Sequence, residues 1–104
     1  MEAQQLLQNI EAMIADKSCQ QVSDCDLLPV GARPCGGPDS YLPYAPNKVS
    51  DPKVLSALNQ AYKKKIQDYF AENQIMGICV ATPKPSVACQ QNQCVALEQN
   101  LQIQ

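Results

Sequence analysis

Apolar positions recur at helical spacing in two stretches of the chain. Near the N-terminus Leu6, Ile10, Met13, Ile14 and Lys17 share one face, Leu7 widens it, and Gln, Asn and Glu fill the other. That pattern predicts an amphipathic helix over residues 2–17. Ser18-Cys19 ends it and opens a cysteine-bearing loop. A longer stripe runs through Val54, Leu55, Leu58, Ala61, Tyr62, Ile66, Tyr69 and Phe70, with Lys53, Gln60, Lys63, Lys64 and Gln67 opposite. Asp51 is a good N-cap. Pro52 suits the first helical position, where a missing N–H has no helical partner to lose, and Asn73 is a stop signal. The second predicted helix therefore covers residues 52–72.

Between the helices the pattern shortens. "DCDLLPVG" (24–31) and "SYLPYAP" (40–46) read as brief edge strands, because Pro29, Pro43 and Pro46 exclude them from a central ladder. Tyr41 and Leu42 are expected on different faces. Residues 24–49 are expected to be ordered but irregular, and to need covalent pinning because proline-rich backbone makes few ladder bonds. After the second helix, "QIMGICVA" (74–81) reads as a strand ended by Pro83 and Pro85, and "QCVALE" (93–98) as another. These two are expected to pair antiparallel across a link that carries Cys89. The polar tail, residues 99–104, is expected to fray.

Composition explains why pinning is needed. The chain has 104 residues, one domain's worth, and is 45% apolar, yet it holds no Trp, one Phe and four Tyr. A small domain so short of large side chains has a marginal core. Six cysteines, Cys19, Cys25, Cys35, Cys79, Cys89 and Cys94, are the compensation. An even count in a short chain reads as three disulfides, with about fifteen connectivities open. Links between the two halves are favoured over local loops, because they would also tie down the irregular region.

Zinc is the competing use of thiols. Structural zinc sites place cysteines in pairs two to four residues apart so that both sulfurs reach one ion. Here the gaps are five, nine, forty-three, nine and four residues, so only Cys89–Cys94 is near that range, and no histidine is present to complete a mixed site. No metal or cofactor is therefore expected. No Cys-x-x-Cys pair exists for thioredoxin-like chemistry. The absence of histidine also removes the usual general base of Ser and Cys hydrolases. Asp24, Asp26 and Asp39 leave carboxylate chemistry or weak calcium binding formally open, but acidic residues in polar loops are usually only solvated. An enzyme is not expected.

A net charge of −2 and a pI near 4.8 argue against a nucleic-acid partner. Lys63-Lys64-Lys65 reads as the solvated face of a helix. No stretch approaches the roughly 18 apolar residues of a membrane span. The N-terminus lacks a basic leader and an unbroken apolar run, whereas the cysteines point to an oxidising compartment. The favoured resolution is that Met1 replaces a removed signal or lipid-anchor segment. The rival is a cytosolic protein with free or metal-bound thiols.

The densest motif is "GARPCGGP" (31–38). A phosphate cradle would feed directly into a helix, and here no helix is expected for about a dozen residues. An inhibitor loop would display Arg33 on a disulfide-braced turn to a trypsin-like pocket, bracing being what lowers the ordering cost of binding. Pro34 directly after Arg33 and Pro85 after Lys84 disfavour that engagement. The structural reading needs less: Gly36 and Gly37 take positive φ around a Cys35 bridge, Pro34 and Pro38 stiffen the flanks, and Tyr41 and Tyr44 are set against the second helix.

Taken in order, Cys-x5-Cys, "GARPCGGPDSYLPYA", the amphipathic helix and "ACQQNQCV" resemble small cysteine-rich domains of exported or lipid-anchored bacterial proteins, from Cys19 to about Val95. The resemblance implies compartment and architecture and carries no catalytic residues. The expectation is an α+β domain in which two amphipathic helices pack on a short antiparallel sheet held by three disulfides. Residues 1–18 are expected to form an N-terminal helix that could link to a removed signal or anchor, 19–98 the disulfide-stabilised domain and 99–104 the frayed tail. The expected function is non-enzymatic binding of another envelope or secreted protein or macromolecule, through Arg33, Tyr41 and Tyr44. Protease inhibition around Arg33 is the alternative. No signal for an oligomeric state is present.

Overall fold

The computed structural model describes residues 2–34, 36–75 and 84–97. Along the chain come α1 (Ala3–Met13), a 3-10 turn (Val22–Asp24), β1 (Asp26–Val30), β2 (Ser40–Tyr44), a second 3-10 turn (Pro46–Lys48), α2 (Pro52–Glu72), β3 (Ser86–Gln90) and β4 (Gln93–Leu97). The architecture is α+β, but with two separate two-stranded antiparallel sheets, β1–β2 and β3–β4, in place of one.

α1 is shorter than its apolar period suggests. Leu6, Ile10 and Ile14 are buried as the stripe requires, but the helix stops at Met13. Beyond it the Asp16 carboxylate accepts the Ser18 N–H and hydroxyl. Lys17, placed on the helical stripe by spacing, instead reaches across to donate to the carbonyls of Ile14 (3.1 Å) and Pro43 (2.8 Å). A tertiary bond to β2 thus outweighs another turn of helix. α2 has the expected bounds. Asp51 accepts the Val54 N–H. At the other end Gln74, with φ of 51°, donates to Ala71 while Ile75 donates to Phe70, the paired closure of a Schellman end. Gln74 and Ile75 therefore finish the helix and do not begin the strand expected over 74–81; the rest of that stretch lies outside the described residues.

The partner of β4 is consequently different from the one expected. β3, in the stretch read as a link, pairs with β4 in register Cys89↔Cys94 and Gln90↔Gln93. The turn residues Gln91 and Asn92 both have positive φ, 54° and 61°, which matches the two-residue connection that best suits strand twist. β1 pairs with β2 from Asp26↔Tyr44 to Val30↔Ser40.

The core has two parts. Ile10, Ile14, Leu28, Val30 and Leu55 form an aliphatic cluster, with Met13, Leu42, Tyr44, Val49, Leu58 and Tyr62 packed on it. The helix assigned to a linker segment thus belongs to the core. The α2 stripe is narrower than its period: only Leu55 is buried, whereas Val54 and Tyr69 are 45% and 55% exposed. The second cluster is Cys19, Ala45 and Cys94, flanked by Cys25 and Cys89. Two of the three expected disulfides are bonded, Cys19–Cys89 and Cys25–Cys94, at sequence separations of 70 and 69. Both join the two halves of the chain, as favoured. Cys35 and Cys79 lie outside the described residues.

Candidate functional site

Three local features bring the four bonded cysteines to one junction. The turn at Gln91–Asn92 aligns Cys89 with Cys94 across the hairpin, so both side chains leave the same sheet face. The segment after α1 then pairs with β4: Cys94 N–H donates to the Lys17 carbonyl (2.8 Å), Cys19 N–H donates to the Asn92 carbonyl (3.1 Å), and the Asn92 side chain donates to the Cys19 carbonyl. The Asp24 carboxylate accepts the N–H groups of Gln20 (2.9 Å) and Gln21 (3.2 Å), which folds the Cys19–Cys25 loop back on itself. The sulfurs of Cys19, Cys25 and Cys94 come within 4.8 Å of one another. Sequence spacing could not show this, because the cysteine pairs are brought together by tertiary contacts such as the Ser18–Gln93 bridge.

Beside Cys19 lies a polar cleft of about 370 Å³ lined by Ser18, Gln20, Asp24, Asn47, Lys48 and Asn92. Asp24 is held below the usual carboxylate range, chiefly by the Gln20 N–H, with Gln21 and the charge of Lys48 adding to it. Asp16 is lowered too, chiefly by the Ser18 hydroxyl and then its N–H. Ionised carboxylates already bonded to backbone are anchors, not proton donors. Of the other acids considered for chemistry, Asp26 accepts its neighbour Leu27's N–H and Asp39 stands beside Gly31 on the far loop. Among the described residues no trio of carboxylates converges.

The "GARPCGGP" run is the loop of the β1–β2 hairpin. Gly31, Gly36 and Gly37 all take positive φ, at 76°, 106° and 81°. Gly31 is the most constrained, since a Cβ there would meet Asp39 Cβ at 3.0 Å. Arg33 N–H donates to the Gly37 carbonyl, and the Arg33 carbonyl accepts the Gly36 N–H at 2.9 Å. A substrate-like inhibitor must offer that carbonyl to the protease, and here it is committed inside the loop. Arg33 lines a groove of about 690 Å³ with Pro34, Gln67, Phe70, Gln74 and Ile75. Tyr41 and Tyr44 do not join it or each other. They are three residues apart on β2 and face opposite sides, and Tyr44 packs with Leu42 on the aliphatic core. Burial, then the charge of Asp26, raises the Tyr44 hydroxyl above its ordinary range.

Compared with known proteins, the chain matches no protein-family model, no curated protein and no solved structure.

Proposed function

We propose that this chain is a non-enzymatic binding module of an oxidising, extracytoplasmic compartment, exported or lipid-anchored in a bacterium, that engages another envelope or secreted protein. The supporting observation is the pair of disulfides that join its halves. Such long-range links persist where thiols are oxidised and are lost in reducing cytosol. The third bond expected from six cysteines would pair Cys35 with Cys79. The absence of histidine and the anchored state of the acids support a role without catalysis. Of the residues expected at the binding surface, Arg33 lines a groove with Phe70 and Ile75, and Tyr41 is half-buried on β2. Tyr44 is a core residue.

Two measurements test this reading. Alkylation and mass analysis of the chain recovered from the periplasm should show all six cysteines oxidised, with Cys35–Cys79 in the non-reduced peptide map. A reduced chain in that compartment would overturn the assignment. A photo-cross-linker at Gln67, in the groove, should give one discrete protein adduct in the envelope, and one at Gln8 on the exposed face of α1 should give none. Equal or absent adducts would remove the binding role.

A further inference from the structure

We infer that the cysteine junction is also a zinc site in the reduced chain, its ligands being Cys19, Cys25, Cys89 and Cys94. The sulfurs of Cys19, Cys25 and Cys94 already lie within 4.8 Å of one another, and the fourth sulfur, on Cys89, is bonded to Cys19. A tetrahedral zinc–thiolate centre has Zn–S bonds of about 2.3 Å and hence sulfurs about 3.8 Å apart. The sulfurs of Cys25 and Cys94 are bonded to each other and must separate on reduction, while Cys19 needs to close on them by no more than about 1 Å to reach that spacing. Cys89 must leave Cys19 once their bond is broken and turn toward the other three.

The ligands come from two rigid pieces: the hairpin turn that pairs Cys89 with Cys94, and the Cys19–Cys25 loop closed by Asp24. Those pieces are joined by backbone bonds, Cys94 to Lys17 and Cys19 to Asn92. Cys94 and Cys19 are buried, Cys25 and Cys89 half-buried, so the centre would be shielded on one side and open to a reductant or an ion on the other. The cleft beside Cys19 carries Lys48, a positive charge next to what becomes a dianionic centre.

The chemistry balances. Two equivalents of a phosphine reductant, with two waters, convert the two disulfides to four thiols and two phosphine oxides. One Zn²⁺ then displaces four protons to give the tetrathiolate. Because ligands must be deprotonated and the site forms only in the folded chain, ion binding is coupled both to pH and to folding. The same junction is thus clamped by disulfides when oxidised and by zinc when reduced.

The test uses the full chain carrying Cys35→Ser and Cys79→Ser, which leaves only the four proposed ligands. Reduced anaerobically and titrated with Co²⁺, it should take up one ion per chain, show the visible bands and thiolate charge-transfer band of a tetrahedral cobalt–sulfur centre, and lose them when one equivalent of Zn²⁺ is added. Far-ultraviolet circular dichroism should show strand signal regained as the ion binds. Adding either Cys19→Ser/Cys89→Ser or Cys25→Ser/Cys94→Ser should abolish the bands, and the oxidised chain should give none. The inference is overturned if the reduced four-cysteine chain gives no bands, whether or not it folds without metal. It is equally overturned if either pair variant keeps them. The disulfide reading of the oxidised protein is untouched by either result.

Discussion

The two ends of the core are built on different physics. At one end α1 with its C-cap residue Ile14, β1 and α2 contribute Ile10, Ile14, Leu28, Val30 and Leu55, side chains large enough to interlock. Each such burial contributes about 1.5–3 kcal/mol by removing apolar surface from water. At the other end the buried groups are Cys19, Ala45 and Cys94, which offer little area. There the stabilisation comes from cross-links that restrict the unfolded chain. The aliphatic end acts on the folded state, and the sulfur end acts mainly on the unfolded one. A domain of this size can thus hold two strand pairs that share no ladder, because the pair with the poorer packing is tied covalently to the other half of the chain.

The largest effect should follow removal of both links. Counting the two described bonds alone, the first to form closes a loop of about 70 residues, worth about 4 kcal/mol by loop-closure entropy; the second then closes a ring of only about a dozen residues, worth about 3 kcal/mol. Deleting either pair alone, as Cys19→Ala/Cys89→Ala or Cys25→Ala/Cys94→Ala, should cost about 3 kcal/mol, and deleting both about 7 kcal/mol. The double deletion should therefore exceed the sum of the two single ones, and should approach the whole stability of a small domain. Denaturant unfolding of the three variants measures this. Simple additivity would mean that the two bonds do not share one junction.

Next in size is Ile10→Ala. Ile10 is 0% exposed, and truncation of such a site costs about 2–5 kcal/mol in lost transfer energy and cavity. Combined with the Cys19→Ala/Cys89→Ala pair, its cost should add to within about 0.5 kcal/mol, the behaviour of sites with no shared partners. A larger coupling energy in that double-variant cycle would break the separation of the two ends.

How far the sequence reveals this arrangement follows the same division. Where side chains are long and periodic, the chain is legible: the bounds of α2, its Asp51 cap and the burial of Leu6, Ile10 and Ile14 all follow from spacing. Where tertiary bonds decide, it is not. The early end of α1 depends on Lys17 finding the Pro43 carbonyl 26 residues away. β3 is hidden because Ser86–Gln90 carries one large apolar side chain, Val87, and is recognisable as a strand by its pairing with β4. The cysteine junction was invisible for a further reason. Ligand spacing along the chain describes a knuckle within one loop, and here the two pairs are brought together by the bridge between Ser18 and Gln93. The glycine–proline loop is legible as a turn, with Gly36 and Gly37 at positive φ, but Gly31, its tightest position, carries no local signal beyond being glycine.

A smaller effect tests the helical end alone. Asp51→Ala removes the carboxylate that accepts the Val54 N–H at 3.2 Å and should cost about 1 kcal/mol, the usual worth of an N-cap. Asp51→Asn keeps an acceptor and should recover most of it. Both changes should leave the reactivity of the disulfides toward a small phosphine unaltered, which timed alkylation would show; faster reduction would mean that α2 also guards the sulfur end.

The smallest expected effect belongs to Asp24, which is the sulfur end's own counterpart to that cap. Its carboxylate is lowered below the ordinary 3.8 chiefly by the Gln20 N–H, so the folded state prefers the ionised form. The sign follows by linkage: the contribution is present above the unfolded pKa and is lost as pH falls through the lower, folded one. Asp24→Asn should therefore unfold slightly earlier than wild type at neutral pH, with the gap closing in strongly acidic buffer where both side chains are uncharged. The same substitution should loosen the Gln20–Asp24 loop and speed hydrogen exchange at the Gln20 and Gln21 amides, while leaving amides of α2 unchanged. A stability gap that persists undiminished at low pH would show that the carboxylate's charge is irrelevant there, and that the loop is held by the cysteines alone.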